Sequence, residues 1–112
     1  FALSRLSSVV KNLVVDNKMM LKNLEKTNGL YNSQRLMLKL IEKGEFSREE
    51  AYKIVQNLAM ESWKKDKNFK NIVKNNKKIS MTLNKKEIEN IFDIQYHLKN
   101  IDEMFERVLN EK

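Results

Sequence analysis

Apolar residues recur at intervals of three and four along most of the chain, which is the period of an amphipathic α-helix. The first stripe predicts a helix over residues 1–15, and its width is typical of a bundle helix that packs against more than one neighbour. Its apolar members are Leu3, Leu6, Val9, Val10, Leu13 and Val14. Because this pattern is already under way at the first residue, we expect the chain to be a piece of a larger protein.

Polar residues and glycines predict where the next helices begin and end. Asp16 or Asn17 can cap a second helix, and Thr27-Asn28-Gly29 is a typical helix end because glycine accepts the left-handed conformation there. A third helix is expected over residues 32–43, with Gly44 ending it.

Two capping boxes mark further helix starts. Ser47 is followed three positions later by Glu50, and this pair predicts a fourth helix that reaches about residue 64. Asn84 and Glu87 repeat the spacing and predict another start. Residues 65–80 are interpreted as a polar, mobile connection with one short helix inside it. A last helix is expected to carry Leu98, Ile101, Phe105, Val108 and Leu109.

Composition agrees with an all-α chain. The 112 residues include no proline and two glycines, whereas an all-β chain needs frequent turn residues. The absence of cysteine excludes disulfides and thiolate metal sites. No apolar run reaches the roughly 20 residues of a membrane span. We therefore expect an all-α, soluble, cytoplasmic protein without a membrane partner.

A net charge of +7 permits binding to nucleic acid, but the kind of basic residue weakens that interpretation. Only four of the 22 basic residues are arginines, whose planar fork is the better match for phosphates and bases. Seven lysines lie between Lys64 and Lys78, with few aromatic residues among them. The simpler interpretation is a solvated surface, and the role of this stretch stays open.

No complete catalytic set is visible in the sequence. The single histidine, His97, is interpreted as a capping or surface residue. The carboxylate pairs Glu49-Glu50 and Asp102-Glu103 fall at predicted helix N-termini, where the helix dipole favours negative charge. The sequence also has no glycine-rich phosphate loop, zinc-binding HExxH motif or calcium loop. We expect no metal site.

Three segments together resemble the C-terminal portion of the adenylosuccinate lyase family, which belongs to the fumarase/aspartase superfamily. Residues 20–35, MLKNLEKTNGLYNSQR, are similar to its segment M-x-x-N-L-x-x-T-x-G-L-x-x-S-Q-R. Residues 47–56, SREEAYKIVQ, are similar to S-R-E-E-A-Y-x-x-V-Q. Residues 92–98, FDIQYHL, followed by residues 101–108, IDEMFERV, resemble the end of bacterial members. The family's usual proline near residues 15–17 is missing.

The resemblance implies a lyase of purine biosynthesis. Such an enzyme eliminates fumarate from adenylosuccinate, giving AMP, and from the succinyl-carboxamide ribotide, giving AICAR, with no cofactor. Family members are homotetramers that act on a small purine nucleotide, with a loop serine as base and a histidine as acid. Those groups would lie upstream of residue 1, so we expect no catalytic or substrate-binding residue here and an inactive isolated chain.

The same resemblance implies a division into residues 1–28, the C-terminal end of a central helical bundle, and residues 29–112, a small helical C-terminal domain. The polar cluster Ser33, Gln34 and Arg35 is the one motif that invites a functional interpretation, which is that it braces a neighbouring active-site loop. The simpler interpretation is a helix start, with Ser33 as its cap and Arg35 in a surface ion pair. The alternative for the whole chain is a stand-alone basic helical module that binds nucleic acid or a protein partner.

Overall fold

Residues 1–110, the part of the chain that the computed structural model describes, form helices joined by turns and short irregular segments, and this range contains no strand. The all-α prediction is therefore confirmed. A 3-10 turn, Leu30–Asn32, precedes the third helix. The helices are α1 (Ala2–Lys11), α2 (Asn17–Glu25), α3 (Ser33–Glu42), α4 (Arg48–Lys65), α5 (Phe69–Asn75), α6 (Lys77–Thr82), α7 (Lys85–Ile91), α8 (Gln95–Leu98) and α9 (Ile101–Asn110).

The hydrophobic core is built by α3 to α7. Helix α3 packs against α4, α4 against α5, and α5 against both α6 and α7. The buried apolar residues are Leu36, Leu40, Ala51, Val55, Leu58, Phe69, Val73, Ile79, Leu83, Ile88 and Ile91. Because this core draws on every helix between residues 33 and 91, those helices form one packed unit.

Three predicted helix starts, at Asp16, Ser47 and Asn84, are confirmed by their capping hydrogen bonds. The Ser47 hydroxyl accepts from the Glu50 amide at 3.2 Å, and the Glu50 carboxylate accepts from the Ser47 amide at 2.9 Å. Asn84 and Glu87 form the same reciprocal pair. Asp16 caps α2 by accepting from the Met19 amide at 3.0 Å. These caps satisfy amides that a helix N-terminus leaves without intrahelical partners.

The short helix predicted within residues 65–80 is present as α5, but the interpretation of the segment around it as a polar, mobile connection was wrong. This segment forms α5 and the start of α6, and Phe69, Val73 and Ile79 within it have no exposed surface. Asn76 ends α5 and also caps α6, its side chain accepting from the Ile79 amide at 3.2 Å. The connection is therefore a central part of the core.

Four helices lie outside this core, because α1, α2, α8 and α9 contain no buried residue. Helix α1 ends at Lys11, so the predicted helix over residues 1–15 is too long by four residues. Its apolar stripe, predicted to pack against neighbours, remains exposed in the single chain, with Leu6 60% and Val10 62% exposed. The predicted last helix is divided after Leu98, which belongs to α8.

A backbone clip joins the end of α2 to the turn between α4 and α5. Asn28 and Gly29 have left-handed conformations, with φ of 53° and 81°, as predicted for the glycine. The Asn28 carbonyl accepts from the Phe69 amide at 2.8 Å, and its side-chain amide donates to Asp66 at 2.8 Å. This clip fixes the 3-10 turn that leads into α3. Within residues 1–110, no helix is long and apolar enough to cross a bilayer.

Candidate functional site

Arg35 fastens α3 to the junction between α7 and α8. It lies in the first turn of α3, half-buried, and its Nη1 donates to the Ile91 carbonyl at 2.9 Å and to the Asp93 carbonyl at 3.4 Å. The guanidinium also lies over the Tyr96 ring, 3.4 Å from the ring centroid. A cation beside the last carbonyls of α7 is favoured by the helix dipole.

The other two residues of the predicted cluster do not join Arg35. Ser33 begins α3 half-buried, whereas Gln34 is exposed. Asn32 occupies the N-cap position and makes no side-chain capping bond. The simpler sequence interpretation was therefore wrong in both details: Ser33 does not cap the helix, and Arg35 binds backbone carbonyls and an aromatic ring rather than a surface acid. Helical geometry explains this result, because successive residues of a helix project about 100° apart.

His97 binds a buried asparagine, which the sequence did not indicate. The side-chain oxygen of Asn32, a residue only 1% exposed, lies 3.0 Å from His97 Nε2. We assign this contact as the imidazole donating to the amide oxygen. The His97 ring also meets Tyr31 and Tyr96 edge to face, with centroids 5.8 and 5.7 Å apart. His97 is exposed, as predicted, but it is an anchoring residue rather than a cap.

These residues form one cluster, which we call the latch: Tyr31, Asn32, Arg35, Tyr96 and His97. It joins the start of α3 to α8, a helix with no buried residue of its own. Its guanidinium and its imidazole are already engaged, the first by backbone carbonyls and the second by an amide. The geometry therefore supports a positioning role and supplies no opposed acid and base for an elimination.

A cleft of about 390 Å³ lies beside the latch. Asn32 and Tyr31 line it together with Glu25, Lys70 and Asp93, so its charges are mixed. The Lys70 ammonium already binds Glu89 of α7. This lining selects neither an anionic nor a cationic ligand. Among residues 1–110, no group of three or more His, Cys, Asp or Glu side chains has the arrangement of a metal site.

Ion pairs tie α7 to the rest of the core and occupy part of the basic stretch. Glu89 binds Lys70 and, at 2.5 Å, Lys74, and these two ammonium groups lower the pKa of Glu89 to about 2. Lys43, after α3, binds Glu87 at 2.6 Å and holds the pKa of that carboxyl below its usual value. The Lys64 to Lys78 stretch is thus partly neutralised within the fold, which weakens its interpretation as a nucleic-acid surface.

Comparison with known proteins gives consistent matches over nearly the whole chain. A family model described as "Adenylosuccinate lyase C-terminus" matches residues 29–108. The chain is 45% identical to adenylosuccinate lyase of Bacillus subtilis over 108 residues, covering 96% of this chain and 25% of that protein. It is 43% identical to the Thermotoga maritima enzyme over 105 residues, covering 94% of this chain and 24% of that protein.

A third relative, adenylosuccinate lyase of Helicobacter pylori strain J99, is 46% identical over 118 aligned positions, covering 96% of this chain and 27% of that protein. The chain therefore spans about a quarter of the length of the curated relatives it matches. These matches support the resemblance seen in the motifs and give no support to a stand-alone binding module.

Proposed function

The chain belongs to the adenylosuccinate lyase C-terminus family, and from that membership we propose that it is the C-terminal part of an enzyme that eliminates fumarate from adenylosuccinate and from the succinyl-carboxamide ribotide. The observation that carries the proposal is 45% identity to a named adenylosuccinate lyase over 108 residues. The parent enzyme would act in the cytoplasm on these purine nucleotides. It would use no cofactor.

We propose that residues 1–28 end a helical bundle and that residues 29–112 form the C-terminal domain. The match to the family model begins at residue 29, directly after the left-handed Asn28. On the N-terminal side, α1 and α2 contribute no buried residue, whereas the core begins with α3. This difference in burial supports a boundary at the Asn28-Gly29 turn.

We propose that this chain contributes to catalysis by holding other parts of the enzyme in place, and not by reacting with the substrate. Arg35 ties the α7–α8 junction to α3, so loss of this contact would move any loop that rests on that surface. Gln34 is exposed next to it and is the residue of the cluster that is free to touch such a loop. Ser33, Gln34 and Arg35 therefore keep a proposed bracing role. The residues that exchange protons with substrate would lie elsewhere in the parent enzyme.

The exposed stripe of α1 supports self-association of the parent enzyme, for which we propose a homotetramer. In α1, Leu3 is 82% exposed, and Leu6, Val9 and Val10 are each at least 60% exposed. Leu13 and Val14, which follow the helix, are 66% and 90% exposed. A helix with so wide an apolar face is stable in water only when another surface covers it.

A chimeric enzyme tests the proposed function. The matching C-terminal quarter of the Bacillus subtilis enzyme is replaced by this chain, and fumarate release from adenylosuccinate is measured. We expect the chimera to release fumarate, and the enzyme truncated at the same junction and the isolated chain to release none. A matched chimera with Leu40→Asp, which places a charge in the core, controls for folding of the graft. A chimera that assembles like its parent but releases no fumarate contradicts the proposal.

A further inference from the structure

The turn that follows α2 contains an asparagine directly before a glycine. This pair, Asn28-Gly29, occurs once in the sequence, because the other glycine, Gly44, follows a lysine. Asparagine is chemically labile, since its side-chain amide can be attacked by the backbone nitrogen of the next residue. Glycine presents that nitrogen without a side chain to hinder the approach. Asn28 is therefore the position at which the sequence most favours spontaneous deamidation.

The reaction needs only water as a co-reactant. The backbone nitrogen of Gly29 loses its proton to solvent and bonds to Cγ of Asn28. The bond between Cγ and Nδ2 then breaks, and Nδ2 leaves as ammonia, so that a succinimide ring remains. One water molecule adds to either ring carbonyl and opens the ring to aspartate or isoaspartate.

The attacking amide is not engaged by the fold. The amides on either side of it, those of Asn28 and Leu30, donate to the carbonyls of Glu25 and Thr27. By contrast, no backbone carbonyl among residues 1–110 accepts from the Gly29 amide. A group without an acceptor gives up no hydrogen bond when it reacts. Any restraint on the reaction therefore comes from the Asn28 side.

Asn28 is held by the clip that joins the end of α2 to the turn between α4 and α5. Its Nδ2 donates to the Asp66 carboxylate at 2.8 Å, and its carbonyl accepts from the Phe69 amide at 2.8 Å. For Cγ to meet the Gly29 nitrogen, the side chain must turn and give up the bond to Asp66, which is strengthened by the carboxylate charge. A carboxylate also supplies no proton to the departing nitrogen. The clip thus opposes both the attack and the loss of ammonia.

We propose that Asn28 is a deamidation site that the clip keeps latent, so that the reaction proceeds only when the contact with Asp66 opens. The aspartate product places a second carboxylate where an amide had donated, and the like charges prevent the clip from closing again. In the isoaspartate product the main chain runs through the former side chain, which displaces the carbonyl that binds Phe69. Deamidation therefore releases the turn before α3 irreversibly. This inference goes beyond the proposed lyase function and does not depend on it.

Ageing of the protein followed by mass spectrometry tests the protection. All partners of the clip belong to this chain, which is incubated at weakly basic pH either folded or unfolded in urea. After digestion, the products are recognised by the mass gained when the amide becomes a carboxyl, and fragmentation separates a change at Asn28 from one at Asn32. We expect Asn28 in the folded chain to deamidate at least roughly tenfold more slowly than in urea, the factor that one charge-assisted hydrogen bond supplies.

Variants of Asp66 identify the protecting contact. Asp66→Gly removes the acceptor and keeps the left-handed conformation, with φ of 48°, that this residue adopts. It should deamidate at Asn28 roughly tenfold faster than wild type while folded, and Asp66→Asn, which keeps a neutral acceptor, should fall between the two. The matched control is Asp102→Ala, which removes an exposed acid of α9 outside the clip and should stay within about twofold of wild type. Circular dichroism verifies the folding of each variant.

The consequence of the reaction is tested by urea unfolding of a variant that represents the aspartate product. Asn28→Asp should lower the urea midpoint by about 0.5 M, because it replaces a hydrogen bond with two facing carboxylates. Asn28→Gly, which loses the hydrogen bond without adding a charge, should lower it less. The double variant Asn28→Asp with Asp66→Asn exchanges donor and acceptor and should recover most of the loss.

Three results would overturn the proposal. The first is a folded chain that deamidates at Asn28 as fast as the unfolded chain, and the second is an unfolded chain in which Asn28 does not react. The third is a wild-type rate in folded Asp66→Gly; if that variant does not fold, a wild-type rate in Asp66→Asn decides the question instead. None of these results bears on fumarate release by the chimera, which tests the lyase proposal separately.

Discussion

Replacing Arg35 by methionine should loosen the junction between α7 and α8. The methionine keeps the aliphatic length that packs beside the helix but removes the donors to the Ile91 and Asp93 carbonyls and the charge over Tyr96. A hydrogen bond from a charged donor contributes about 1.5–3 kcal/mol, and an exposed cation–π contact about 0.5–1 kcal/mol. Because Arg35 is half-buried and water can reach the freed carbonyls, the lower ends of both ranges apply. We therefore expect the free energy of unfolding to fall by about 2 kcal/mol.

Urea unfolding followed by circular dichroism measures this loss. With a urea dependence of about 2 kcal/mol per molar, the midpoint should fall by about 1 M while the slope stays unchanged. Arg48→Met is the matched control, because Arg48 is exposed and makes no side-chain hydrogen bond among residues 1–110, and it should stay within about 0.5 kcal/mol of wild type. If Arg35→Met is as stable as the Arg48→Met control, the bracing contacts contribute nothing and the reasoning fails.

Three further changes probe the core, a cap and the ion pairs by the same unfolding assay. Phe69→Ala should cost about 3–5 kcal/mol because its ring is fully buried; a loss below about 1 kcal/mol would contradict that packing. Ser47→Ala should cost about 1 kcal/mol by removing one capping acceptor, whereas Ser47→Asp, which restores an acceptor, should recover most of it. Glu89→Gln should lower stability at neutral pH by removing the partner of Lys70 and Lys74, and the difference from wild type should shrink as pH falls from about 4.5 towards 2, where the wild-type carboxyl takes up its proton. A difference that does not change over this pH range would contradict the lowered pKa.

Features that depend only on residues close together in the sequence could be predicted from it. A capping box needs only a side chain and an amide three positions apart, so Ser47 with Glu50 and Asn84 with Glu87 could be identified without tertiary information. The helix end at Gly29 follows equally from the conformational freedom of that residue. Most helix positions in the chain were obtained in this way.

The features that were not predicted share one physical reason: they depend on contacts between residues far apart in the sequence. Phe69, Val73 and Ile79 lie across a helix break at Asn76, so their spacing has no single helical period and the segment resembled a polar connection. The buried state of this segment is set by α4 and α7, not by its own composition.

The latch could not be predicted from the sequence, for the same reason. Asn32 and His97 are 65 positions apart, and Arg35 meets carbonyls 56 and 58 positions away. Nothing in the local pattern around His97 indicates a buried amide partner. The motif in residues 33–35 does lie in the latch, but a pattern of neighbouring residues cannot distinguish a surface ion pair from a contact with distant backbone carbonyls.

The most direct test of the central claim is the rate at which the Bacillus subtilis chimera cleaves adenylosuccinate, measured beside the unmodified enzyme. If this chain is the C-terminal part of such a lyase, the chimera should assemble and cleave substrate within about tenfold of the parent rate, a change of about 1.4 kcal/mol in the barrier. A chimera that assembles to the parental oligomer with a folded C-terminal domain, yet cleaves no faster than the truncated enzyme, would contradict the account.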